Sequence, residues 1–231
     1  MSDWKRWSIW PQFEKIMETK SKKTFRDTVS GMIHFVAAII AIAGTVFLCT
    51  TSNGGTAEIV PKLIFGLSMV LLLAASAAYH LVRGPEKLIS RLKKIDHSMI
   101  YVLIAGTYTP VVSVCLTGTL RLSYIVGIWV FALLGVIFKI FYAGRFRIVS
   151  TILYIIMGWS IVFAISPLAR VVGTGGLILL LSGGVLYSIG AIFYMLKRPN
   201  ISKNFGFHEL FHVLIVLAAG AFYAFILVYV N

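Results

Sequence analysis

Negative charge is scarce in this chain. Eight Asp and Glu stand against 21 Lys and Arg in 231 residues, and charged residues of both signs make up only 13% of the total. So little charge cannot cover the surface of an ordinary water-soluble domain. Cysteine is nearly absent as well: Cys49 and Cys115 each lie alone in an apolar segment, without the spacing of a metal motif. They read as small buried hydrophobes, and a disulfide framework is not indicated. What fills the space is hydrocarbon. The chain is 59% hydrophobic with a mean hydropathy of +0.92, which defines a membrane protein.

Apolar runs of roughly twenty residues, the length that crosses a bilayer, occupy about 29–50, 60–82, 96–116, 121–142, 149–169, 172–196 and 207–230. The first follows a long charged segment and shows no clear cleavage site, so it is expected to be a retained span. Residues 1–28 interleave basic residues with Trp4, Trp7, Trp10 and Phe13, a pattern suited to a cytoplasmic segment lying on anionic headgroups. Residues 29–231 then form the transmembrane domain.

The formal charge of +13 raises the possibility of nucleic acid, but the positions of the basic residues remove it. When the loops are assigned alternately to the two sides, Lys62, Arg121 and Arg170 fall on one side and all other Lys and Arg on the other. The expected fold is therefore an all-α integral membrane protein, a bundle of seven transmembrane helices with a cytoplasmic N-terminus and the C-terminus outside. The charge is explained by topology and attraction to inner-leaflet lipid.

The ionisable residues inside the spans gather at one level. His34, His80, Asp96, His97, His208, Glu209 and His212 all lie at cytoplasmic ends, whereas the outer side carries Glu58 as its only acid and no histidine. His208 and His212, four residues apart, share one helical face where a polar side chain is costly unless bound. Glu209 sits about 100° round the helix from His208. The segment fits H-E-x-x-H, but a third ligand must come from another helix. His80 can reach the same depth. Three imidazoles on Zn²⁺ leave a fourth position for water at lowered pKa, a hydrolytic arrangement. Ser76, one turn before His80, could donate to that water or to an oxyanion, or could serve helix packing in the run Ala74-Ala75-Ser76-Ala77-Ala78. Asp96 could orient or deprotonate the water, or could be the N-cap of its span. Glu209 is expected to face headgroups or a cytoplasmic Lys, and His34 and His97 to be hydrogen-bonded interfacial residues.

These residues resemble the hemolysin III family, the bacterial branch of the progestin and adipoQ receptor superfamily. The resemblance is carried by Ser76-Ala77-Ala78-Tyr79-His80, by Asp96-His97-Ser98-Met99-Ile100-Tyr101 running on to Ala105-Gly106-Thr107-Tyr108-Thr109-Pro110, by Met157-Gly158-Trp159, and by His208-Glu209-Leu210-Phe211-His212. It implies a bacterial cell-membrane protein with zinc on His80, His208 and His212, with Asp96 reaching the metal through water. It also implies that Ser76 belongs to an S-x-x-x-H motif shared with membrane amide hydrolases. The chain departs before the first span, where Asp27 and Ser30 precede His34 in place of an acidic residue and an Asn. Two functions are implied: a zinc-dependent hydrolase of a lipid amide or ester at the cytoplasmic leaflet, or a non-enzymatic membrane-homeostasis or receptor-like protein with structural zinc. The family name carries a third, cytolysis, but a pore needs a polar lumen that these spans lack.

Overall fold

A computed structural model describes residues 10–142, 146–202 and 205–230, with side chains from Thr28 onward. The aromatic and basic side chains of residues 1–27, including Trp4, Trp7, Trp10 and Phe13, lie outside the described set. Among the described residues every regular element is helical. In chain order these are α1 (Trp10–Thr50), α2 (Thr56–Leu81), α3 (Glu86–Cys115), α4 (Gly118–Tyr142), α5 (Arg147–Trp159), a short 3₁₀ turn (Ser160–Ala164), α6 (Ile165–Leu196) and α7 (Phe207–Tyr229).

Among the described residues, six helical stretches are long and apolar enough to cross a membrane. The hydropathy pattern predicts seven spans, and the difference lies in residues 147–196, which form one nearly continuous helical stretch instead of two runs split by a loop. That stretch is not straight. Arg147 Nη2 donates to the Met195 carbonyl at 2.8 Å, whereas a straight helix would hold those residues about 72 Å apart at ~1.5 Å per residue. Gly173, at φ 60° and ψ −169°, breaks the helical path, a conformation open to glycine because it has no Cβ. The reversal takes so few residues that the helix stays nearly continuous across it, although the apolar pattern divides there into runs at about 149–169 and 172–196.

Two helix starts also differ from the apolar runs. α1 begins 19 residues before the expected span, and α3 begins at Glu86, ten residues before Asp96. Hydropathy marks where hydrocarbon begins, but Glu, Lys, Leu and Arg in 86–94 are good helix formers, so the helix continues into the polar zone. Asp96 is therefore not an N-cap; Pro85 holds that position.

α3 is the most buried of these helices and α2 packs beside it. Their approach is close at Gly106, where an added Cβ would lie 2.1 Å from Ser68 Oγ; at Gly66 it would lie 2.3 Å from Thr45 Cγ2 of α1. Small residues thus set the α1–α2–α3 spacing. α7 closes onto α1, with Tyr223 donating to the Gly44 carbonyl at 3.0 Å. Ile40, Leu122, Leu134, Phe141 and Ile178 point outward, as lipid-facing side chains do. At the end of the bundle remote from the histidines, buried Lys62 pairs with Glu58 and donates to Ser52 at 3.0 Å, securing the α1–α2 turn.

Candidate metal centre

α7 presents its two histidines from its first two turns. The start of the helix is fixed by Glu209, whose Oε2 accepts from the Gly206 backbone N–H at 2.7 Å in a capping box. Its Oε1 accepts from Ser30 of α1 at 3.3 Å. Glu209 is fully buried, which corrects the expectation that it faces headgroups: the freed N–H groups at the helix start need an acceptor where water is scarce. Ser30, the point of departure from the family pattern, supplies part of that hold.

His80, His208 and His212 come together as expected, each offering a ring nitrogen within 4.8 Å of the others. The rings are 5.1 Å (His80–His208), 4.9 Å (His80–His212) and 4.7 Å (His208–His212) apart, centroid to centroid. Two observations test whether this set fits a metal. His208 Nε2 and His212 Nε2 are 3.2 Å apart; nitrogens sharing one tetrahedral ion at ~2.0–2.1 Å would be separated by about 3.3–3.4 Å. His80 Nε2 is buried and makes no hydrogen bond, an orphan that burial penalises unless something binds it. The donor set fits a divalent cation.

His34, expected at an interface, is 1% exposed and stands against His212, whose Nδ1 lies 3.0 Å from His34 Nε2. With Nδ1 engaged by His34 and Nε2 turned to His208, each ring nitrogen of His212 has one task. The sequence places His34 at the right depth, but its partner lies 178 residues away. His97 is held by the Lys93 carbonyl at 2.9 Å and does not join the three-histidine set.

Ser76 and Asp96 flank the cluster. Ser76 is 1% exposed and its hydroxyl lies beside the Asp96 carboxylate without forming a hydrogen bond of good geometry. Asp96 is buried inside α3, its Oδ2 3.4 Å from His97 Nδ1 and close enough to interact electrostatically with His80 and His34. From this polar floor a cavity of about 150 Å³ extends between α3, α5, α6 and α7, walled by apolar residues such as Leu103, Ile104, Val111, Leu180, Ile215 and Phe222.

Fold and site define a multi-pass helical membrane protein with a partly buried three-histidine candidate metal centre. The chain belongs to the haemolysin-III related family, whose model matches residues 22–223. It is 38% identical to a "Hemolysin-3 homolog" of Bacillus subtilis (strain 168), over 89% of this chain and 95% of that protein. It is 37% identical to "Hemolysin-3" of Bacillus cereus, over 88% and 91%. A more distant relative is the human "Monocyte to macrophage differentiation factor", 26% identical over 82% of this chain and 78% of that protein.

Proposed function

We propose that the chain is a zinc-dependent hydrolase of a lipid amide or ester, acting in the cytoplasmic leaflet of a bacterial cell membrane. The observation that carries the reading is the juxtaposition of three imidazole donors with an uncommitted hydroxyl, Ser76, and a buried carboxylate, Asp96, at the polar floor of a largely apolar cavity. The doubling back of residues 147–196 supports seven crossings, and the distribution of Lys and Arg supports a cytoplasmic N-terminus and an outer C-terminus.

His80, His208 and His212 would hold the ion, with His34 fixing the ring of His212. Bound there, zinc supplies Lewis acidity and a water acidified towards pKa ~7. Asp96 accepts the proton of an attacking water and returns it to the leaving group. Ser76 donates its hydroxyl hydrogen to the oxygen that gains charge. The apolar walls hold the acyl chain and keep bulk water from the reacting bond.

The test is release of fatty acid from lipid amides and esters by zinc-loaded protein. Turnover is expected from wild type and none from His208→Ala; equal, background rates for both across such substrates would refute the hydrolase. A second reading, structural zinc without turnover, is favoured by one observation: the histidine cluster draws on α1, α2 and α7 and so ties the two ends of the chain together. Under it, metal removal lowers thermal stability, while Ser76→Ala and Asp96→Ala leave cellular function intact.

A further inference from the structure

Lys139 is unlike the other cations of the bundle. It lies in the last turn of α4, where a lysine normally extends its ammonium out to the headgroups. Instead it is 4% exposed and lines the cavity. Its Nζ stands 5.7 Å from the Tyr154 ring centroid and forms no ion pair or hydrogen bond with a described residue. The field of Asp96 reaches it, but so does that of Lys93, which opposes it. A buried ammonium held only by an aromatic face is costly and calls for an anion.

A second cation borders the same cavity. Arg147, in the first turn of α5, spends one N–H on the Met195 carbonyl at 2.8 Å and lies over the Tyr194 ring at 4.8 Å. A guanidinium carries five N–H donors in a planar fork, so those not used on Met195 remain for an oxyanion. Away from these cations and from the polar floor around Asp96 and the histidines, much of the cavity wall is apolar, and its outer walls are helices whose other faces meet lipid.

We propose that Lys139, with Arg147 as a second cation on the same cavity, makes a subsite for the carboxylate or phosphate head of a membrane amphiphile, with its chain in the cavity between α3, α5, α6 and α7. The subsite stands apart from turnover: it requires neither a bound metal nor hydrolysis.

The test uses the full chain in nanodiscs of neutral lipid, in both the wild type and a His80→Ala background that removes metal as an alternative anchor. The probes are a medium-chain alkyl phosphate, the matching carboxylate and the matching alcohol, each brominated at the chain end so that binding quenches Trp159 in the cavity wall. Lys139→Met keeps the apolar stem and loses the charge; Lys139→Arg keeps the charge; Arg147→Gln removes the fork. Expected is a loss of about tenfold or more in affinity for the charged probes in Lys139→Met and Arg147→Gln, with Lys139→Arg near wild type and the alcohol unchanged throughout. The same pattern in the His80→Ala background separates this site from the metal centre. Charged probes that bind Lys139→Met as tightly as wild type, or an alcohol that binds as tightly as its phosphate, would overturn the proposal. Inorganic phosphate that competes as well as the alkyl phosphate would overturn the lipid assignment, leaving a site for a free anion.

Discussion

His34 Nε2 lies 3.0 Å from His212 Nδ1, joining α1 to α7 through the imidazole that also faces His208 and His80. The contact leaves His212 Nε2 as the nitrogen free for a metal. His34→Ala should therefore keep the three-histidine set but weaken metal affinity by about 10–100-fold, as loss of a ligand's hydrogen-bond partner commonly does. Competition with a chelator of known affinity measures the change.

In the proposed hydrolysis Asp96 would move a proton and Ser76 would donate a hydrogen bond, neither serving as a ligand. Asp96→Asn should retain metal and fold yet lose about 10²–10⁴-fold in turnover; Ser76→Ala should lose about 10²–10³-fold. Metal content measured beside the rate makes the distinction. A drop in both together would show that these residues are structural.

Tyr108 acts as a clamp where α5 gives way to the 3₁₀ turn. Its hydroxyl accepts from the Ile161 N–H at 2.7 Å and contacts the Gly158 carbonyl and the Ser160 hydroxyl, both at 2.9 Å. Tyr108→Phe leaves a buried N–H without its acceptor and should cost about 1–3 kcal/mol. The Tm of the purified protein should fall while metal stoichiometry holds.

Gly106→Ala tests the close approach of α2 and α3. The new methyl would sit 2.1 Å from Ser68 Oγ, so the helices must part or the serine must rotate, at about 1–3 kcal/mol. Ser68→Ala combined with Gly106→Ala should recover part of that loss, read again as Tm.

The membrane class and the three histidines that come together are legible in the sequence for physical reasons that apply residue by residue. Apolar runs of bilayer length are rare in water-soluble domains, and His80, His208 and His212 stand out because polar groups are rare in such runs. The features that sequence does not reveal depend on contacts distant in the chain or on local backbone geometry. His34 can be placed at the right depth, but only its contact across 178 residues distinguishes a support for His212 from an interfacial residue. Glu209 resembles a surface acid in sequence because its contact with Ser30 forms only when α7 meets α1. The apolar pattern divides between residues 169 and 172, but Gly173 is one glycine among several, and its positive φ at that break belongs to local backbone geometry. Lys139 reads as a topology signal, since burial of a lysine near a helix end has no signature in composition.

Zinc-edge X-ray absorption on the purified chain tests the central claim most directly. The expected result is about one zinc per chain, bound by nitrogen and oxygen at ~2.0–2.1 Å with the scattering pattern of three imidazoles, and loss of that signature in His80→Ala. Substoichiometric metal, or a spectrum that His80→Ala leaves unchanged, would contradict it.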